Sequence, residues 1–147
     1  MGLKNNYFSF RLNSLLKEDR GSLAEREIQT IQILEEICEE SFISPRKKIA
    51  DIGCGDRFLE KAFNKKDMVY EGFDIMDLDI ETEKVAREDN FYDLVICYAL
   101  IEHLKSPSNL VSEALRILKP GGAFLVQTPN WHYSSKIFYD DYTHLRP

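Results

Sequence analysis

The stretch Lys48-Ile49-Ala50-Asp51-Ile52-Gly53-Cys54-Gly55-Asp56-Arg57-Phe58-Leu59-Glu60 constrains the fold more than any other part of the chain. Ile49, Ala50 and Ile52 form an apolar run too short for a helix, which reads as a strand covered on both faces. Gly53 and Gly55 follow at once; lacking a Cβ, they accept positive φ and let a ligand approach the backbone closely. A helix over residues 58–64 would then aim its unpaired N–H groups at the same point. In an open α/β sheet, a strand, glycine turn and helix in this order mark where an adenosine-bearing ligand binds. A Gly-x-Gly pair alone is a weak signal, and a plain tight turn is the alternative.

The flanking sequence alternates between helical and strand patterns. Ser22-Leu23-Ala24-Glu25 has the form of a capping box, and Ile28, Ile31, Leu34, Ile37 and Cys38 recur at helical spacing. A helix is expected over residues 22–40, with Glu25, Arg26, Glu35, Glu36 and Glu39 on its solvated face. Met68 to Ile75 reads as a second strand ending in an acid. Asp74 lies nineteen positions after Gly55, the separation that puts a carboxylate beside a ribose in such sheets. An Asp that merely closes a strand is an equal alternative. Met76 to Asn90 is acidic and interrupted, so a short strand or loop is expected there and no full-length helix. Tyr92 to Tyr98 is the clearest buried strand. Ser106 as N-cap and Pro107 at the first helical position open a helix whose core face is Leu110, Val111, Ala114, Leu115 and Leu118. Pro120-Gly121-Gly122 is expected to stop it, and Ala123 to Gln127 to form a last buried strand. The alternation implies an α/β fold with a mostly parallel sheet flanked by helices.

A chain of 147 residues is one domain by the usual prior. Here it divides into an arm (1–21), a leading helix (22–41), a core (48–130) and a tail (131–147). A net charge of −6 and a pI near 5.1 argue against a nucleic-acid partner, which wants a basic face. Cys38, Cys54 and Cys97 are odd in number and widely spaced, so neither a disulfide framework nor a zinc knuckle is indicated; they read as reduced thiols filling small core spaces in a cytoplasmic protein. No apolar run approaches the ~20 residues that span a bilayer, and the N-terminus carries no signal-peptide pattern.

Asp51-Ile52-Gly53-Cys54-Gly55-Asp56, Gly72-Phe73-Asp74, Tyr92 to Cys97, Ile101-Glu102-His103-Leu104 and Leu118-Lys119-Pro120-Gly121-Gly122 stand in the order and spacing of one family. Over residues 49–130 the chain resembles class I S-adenosylmethionine-dependent methyltransferases of the small-molecule type. The resemblance implies a Rossmann-like sheet, S-adenosyl-L-methionine as cofactor and methyl transfer to a small-molecule acceptor. The tail, from Thr128-Pro129-Asn130 through Phe138 to His144, is similar to members found in glycan or lipid biosynthesis. By the same resemblance Asp51 and the backbone of Gly53, Cys54 and Gly55 hold the methionyl end. Asp74 takes the ribose, Ile75 beside it is a further cofactor-binding candidate, and Asp77 or Asp79 with the Leu78 amide takes the adenine edge. Cys97, Tyr98 and Ala99 floor the pocket near the methyl group. Glu102 and His103 fall where the acceptor lies, and His103 is the candidate catalytic base, with a helix-terminal structural role as the alternative. His132, Tyr133, Asp140, Asp141 and His144 are candidates for the acceptor pocket, with plain surface as the alternative. Glu102 and His103 supply two ligands, too few for a metal, so none is expected.

Two departures from the family pattern matter. Arg57 stands where relatives carry a third glycine, and the chain stops at Pro147, before the two last strands of typical members. A sheet of about five strands with an open edge is therefore expected, covered by the N-terminal arm or by a second copy in a homodimer. The rival readings are a catalytically degenerate methyltransferase-fold partner subunit and an NAD-dependent oxidoreductase. The latter lacks its third glycine at Phe58.

Overall fold

The computed structural model describes residues 20–135, 138–141 and 143–145, so the expected arm over Met1–Gly21 lies almost wholly outside the described residues. The chain divides into two compact units, Met1–Ser41 and Phe42–Pro147. The first is described by one helix, α1 (Arg20–Cys38). Ser22 lies inside this helix, so the capping-box reading is not met. Its charged residues are largely exposed as expected, but the apolar spacing overstates the core: Ile31 is buried, whereas Ile37 and Cys38 are exposed.

The second unit contains β1 (Lys48–Ile52), α2 (Glu60–Asn64), β2 (Val69–Phe73), β3 (Tyr92–Tyr98), a 3-10 turn at Ile101–His103, α3 (Ser108–Ile117), β4 (Leu118–Gln127), α4 (Trp131–Ser134) and a second 3-10 turn at Phe138–Asp140. Its strands form one four-stranded sheet in the order β2-β1-β3-β4, every pair parallel. The α/β reading holds, with one strand fewer than the five expected among the described residues. The apolar runs of β1 and β3 explain their central places: Ile49, Ala50, Leu94, Val95, Ile96 and Cys97 are wholly buried. One core packs Ala50, Ile52, Val95 and Cys97 of the sheet with Leu110, Ala114 and Ile117 of α3 and with Leu78, Ile80 and Val85.

Two boundaries differ from expectation for local reasons. Ser106 Oγ does accept the Ser108 N–H at 3.3 Å, as a cap would, although the helix proper starts at Ser108. At the other end α3 stops at Ile117, and the Pro-Gly-Gly turn falls within β4. A residue before proline resists the helical region, so Lys119 is already extended sequence, and its Nζ meets Asp93 Oδ2 at 2.8 Å. Val111 and Leu115, expected in the core, are exposed; β4 is half-buried, with β3 its one strand neighbour among the described residues.

Residues 74–91 connect β2 to β3 without a helix, as the acidic sequence suggests. Side chains of α3 satisfy its backbone instead. Glu113 Oε2 accepts the Val85 N–H at 3.0 Å, and Arg116 donates to the carbonyls of Val85 (2.9 Å) and Arg87 (2.8 Å). Asn109 Nδ2 donates to those of Ile80 (2.7 Å) and Glu83 (2.8 Å). An irregular connection must pair its polar backbone somewhere; turns within it pair part, and side chains of one helix take the groups at Ile80, Glu83, Val85 and Arg87.

Candidate active site

The sheet order sets the location. From β1 the chain crosses to β2 on one side, and from β3 it crosses to β4 on the other. Between such strands a crevice opens at the carboxyl ends, where open α/β sheets take ligands. The glycine loop leaves β1 at this crevice and the Ile101–His103 turn follows β3 beside it. A Cβ on Gly53 would lie 3.0 Å from Leu100, and Gly53 has φ +83°, so glycine alone fits. A Cβ on Gly55 would meet nothing within 4 Å, so the loop faces open space there. Two non-glycine residues also adopt left-handed backbone at these strand ends, Arg57 (φ 58°) and Ala99 (φ 48°). Strain of that kind collects at functional sites.

Asp74 joins the loop to β2. Its Oδ2 accepts the Gly55 N–H at 2.8 Å and its Oδ1 the Ile75 N–H at 2.8 Å. Each carboxylate oxygen keeps a further lone pair, enough for a diol. Arg57 Nη2 meets Asp77 Oδ2 at 3.1 Å across the same loop.

Several expectations require correction. The N–H groups of Gly53 and Cys54 both donate to the Phe73 carbonyl (2.7 and 3.2 Å), and turns separate the loop from α2, which spans Glu60–Asn64. The loop therefore offers close approach and carbonyl oxygens rather than free donors. The Leu78 amide is spent on the Asp74 carbonyl at 2.8 Å, which removes it from the adenine edge. Asp79 is turned inward on its own connection, where its Oδ1 accepts the Glu81 N–H. Cys97 is wholly buried in the core and cannot floor a pocket with its side chain; Tyr98 and Ala99 beside it are half-buried. Cys54 is buried beneath Gly72, where an added Cβ would come within 2.7 Å of its Sγ. Burial, then the charge of Asp51, push the thiols of Cys54 and Cys97 up to about 12, so neither is a thiolate at neutral pH. Asp51 is 2% exposed and its Oδ2 accepts the Tyr70 hydroxyl at 2.7 Å, a partner with no signal in the sequence.

Glu102 and His103 are carried by the 3-10 turn. Glu102 is 2% exposed; its Oε2 accepts the Thr128 hydroxyl at 3.1 Å, and its Oε1 is buried with no hydrogen-bond partner among the described residues. A buried carboxylate oxygen in that state calls for a donor or a cation. The tail folds back on this turn: the Leu145 N–H donates to the Glu102 carbonyl at 2.8 Å, and His144 packs on His103 with ring centres 4.7 Å apart. Of the tail candidates, Asp141 and His144 join the site, whereas His132, Tyr133 and Asp140 are exposed. His144 brings a ligand atom within 4.8 Å of those of Glu102 and His103, which removes ligand number as the ground for expecting no metal. Burial holds His103 below its ordinary value, against the opposing effects of Glu102 and Thr143, so the ring is neutral at pH 7.

The parallel sheet, the glycine loop at its switch point and the acid closing the second strand together define a Rossmann-like nucleoside-cofactor fold. Comparison with known proteins agrees. A family profile described as methyltransferase domain matches residues 22–147, and the chain belongs to that family, within the class I S-adenosylmethionine-dependent methyltransferases. Among curated proteins it is similar to a ubiquinone biosynthesis O-methyltransferase of Burkholderia thailandensis, with 30% identity over 111 residues, 62% of this chain and 48% of the relative. The protein of the same name from Saccharophagus degradans is 25% identical over 112 residues, covering 63% and 48%. The chain thus spans about half the length of the curated relatives it matches. Among solved structures, a SAM-dependent methyltransferase from Archaeoglobus fulgidus superposes with a TM-score of 0.69 at 21% identity, covering 95% of this chain and 67% of that one, a likeness of fold. No helix among the described residues is long and apolar enough to cross a membrane.

Proposed function

We propose that this chain binds S-adenosyl-L-methionine at the glycine loop and transfers its methyl group to a hydroxyl of a small-molecule acceptor. The observation that carries the reading is the meeting, at one switch point, of an open-faced glycine loop, the Asp74 carboxylate bonded to it and the Glu102–His103 turn. The residues fit the cofactor: Asp74 has lone pairs to spare for two ribose hydroxyls, and loop carbonyls suit a methionyl ammonium. Asp77 is the candidate for the adenine edge, and Tyr98 and Ala99 for the pocket floor. Asp51, beneath the loop, supports the methionyl end through its charge. Bound S-adenosyl-L-methionine would supply a methyl group carried on a sulfonium, and the acceptor oxygen that takes it would give up its proton.

The chain's own work is to hold the acceptor near that methyl, exclude water and take the proton. His103, neutral by burial, is the base, and Oε1 of Glu102, without a partner among the described residues, offers the acceptor a second hydrogen bond. The choice of oxygen, and of a lipid or glycan biosynthesis intermediate as acceptor, draws on the names of the curated relatives and on the tail sequence. A second reading, a partner subunit that does not turn over, is favoured by Arg57, whose ion pair with Asp77 spans the loop.

Thermal unfolding with S-adenosylhomocysteine, and with NAD as control, tests the proposal. A ligand at ~100 times its dissociation constant adds about 2.7 kcal/mol, or several degrees. A shift with the homocysteine compound alone is expected; a folded sample without one selects the partner-subunit reading.

A further inference from the structure

His103 meets Thr143 through that residue's backbone and through its hydroxyl, and the hydroxyl bears on which ring nitrogen carries hydrogen. Thr143 Oγ1 lies against Asp141 Oδ1 and 2.9 Å from His103 Nδ1. A hydroxyl has one hydrogen, and a carboxylate can only accept, so that hydrogen goes to Asp141. Thr143 must then accept from His103, which places the imidazole hydrogen on Nδ1 and the lone pair on Nε2. Asp141 is itself held in place, since its Oδ1 also accepts the Thr143 N–H at 2.9 Å. Burial pushes the Asp141 carboxyl up, but the hydroxyl and amide of Thr143 outweigh it and keep the carboxylate below its ordinary value, so the anchor is charged. The same segment is fixed to the turn that bears His103 by the bond from Leu145 to Glu102.

We propose that Thr143 and Asp141 are positioning residues for His103: they hold its imidazole as the Nδ1–H tautomer, so that Nε2 is the nitrogen that receives the proton lost by the methyl acceptor. The geometry stands on its own, while the purpose rests on the methyl-transfer reading above. The arrangement does for His103 what a buried carboxylate does for the histidine of a hydrolase triad, with a threonine hydroxyl interposed. It orients the ring, excludes the wrong tautomer and offers the imidazolium a chain of acceptors ending in a negative charge. His144 packs on the ring and is oriented by its own bond, Nδ1 to the Phe138 carbonyl.

Long-range proton–nitrogen NMR of the histidine rings tests this in the full chain, with His103→Gln assigning the signals and a chelator present throughout. The wild type should show His103 as the Nδ1–H tautomer. Thr143→Val should abolish that preference, and Thr143→Ser should restore it. Asp141→Asn should lower the midpoint of the His103 titration, because the imidazolium loses its distant anchor. A wild-type ring in the Nε2–H form, or a Thr143→Val ring unchanged, overturns the proposal. So does a His103 signal that moves when the chelator is omitted, which would assign the cluster to a cation. Binding of S-adenosylhomocysteine, measured calorimetrically on the same samples, separates the two readings. Its absence from a wild type with the Nδ1–H ring defeats the methyl-transfer role and leaves the tautomer device standing.

Discussion

The backbone N–H of Gly55 donates to Oδ2 of Asp74 at 2.8 Å, joining the glycine loop to the acid nineteen residues on before any ligand is present. The carboxylate therefore shapes the loop, and in the proposed function it also takes the ribose. Asp74→Ala should weaken S-adenosylhomocysteine binding tenfold or more, the ~1.4 kcal/mol of a lost charge-assisted hydrogen bond. Calorimetric titration of the variant checks this, and unchanged affinity would remove Asp74 from the site.

Arg57 offers a separate test of the loop. Its left-handed backbone favours glycine, and its ion pair with Asp77 is about half exposed and worth little. Arg57→Gly and Arg57→Ala lose the same pair, but only glycine relieves the backbone. The glycine variant should be the more stable by about 1 kcal/mol in urea unfolding. Equal stabilities would show that the left-handed conformation at this position is not enforced.

Most of the architecture was legible because it rests on local pattern. Ile49 to Ile52 and Tyr92 to Tyr98 are apolar runs that only a covered strand explains, and the acidic residues after Asp74 have no apolar period from which to build a helix. The meeting of Asp74 with the glycine loop is legible because its spacing from Gly55 reflects a fixed geometry of parallel strands. What escaped the sequence depends on chain reversal. Thr143 and His144 reach His103 across about forty residues, and Tyr70 reaches Asp51 between neighbouring strands; neither leaves a periodic trace. Cys97 was misplaced because strand alternation turns its side chain into the core, away from the crevice that the strand's end adjoins.

Thiol chemistry checks that placement. Cys38 is exposed, whereas Cys54 and Cys97 are buried with thiols pushed up to about 12. A disulfide reagent should modify one cysteine quickly in the native protein and all three in denaturant. Rapid native labelling of Cys97 would contradict its position in the core.

The Glu113–Arg116 pair gives a pH signature. Hydrogen bonds from Arg116 hold the Glu113 carboxyl below its ordinary value, so its contribution is present at neutral pH and above ~4.3, and is lost as the pH falls through the lowered folded value. Glu113→Gln should cost about 1–2 kcal/mol at pH 7, since it leaves the half-buried Arg116 with the exposed Asp89, 2.8 Å from its Nη1, as its one anionic partner. The gap between variant and wild type should narrow between pH 5 and pH 3 in urea unfolding (~4.3 being the usual glutamate midpoint). A gap independent of pH would mean that the pair's charge does not contribute.

The link between β2 and β3 has a further consequence for how this protein breathes. Its carbonyls at Ile80, Glu83, Val85 and Arg87 and its amide at Val85 are all held by side chains of α3. An irregular stretch would ordinarily exchange its amide hydrogens with solvent almost freely, but the Val85 hydrogen can leave only when α3 loosens. Link and helix are therefore one cooperative opening unit, and the Val85 amide should exchange at the pace of the helix that holds it.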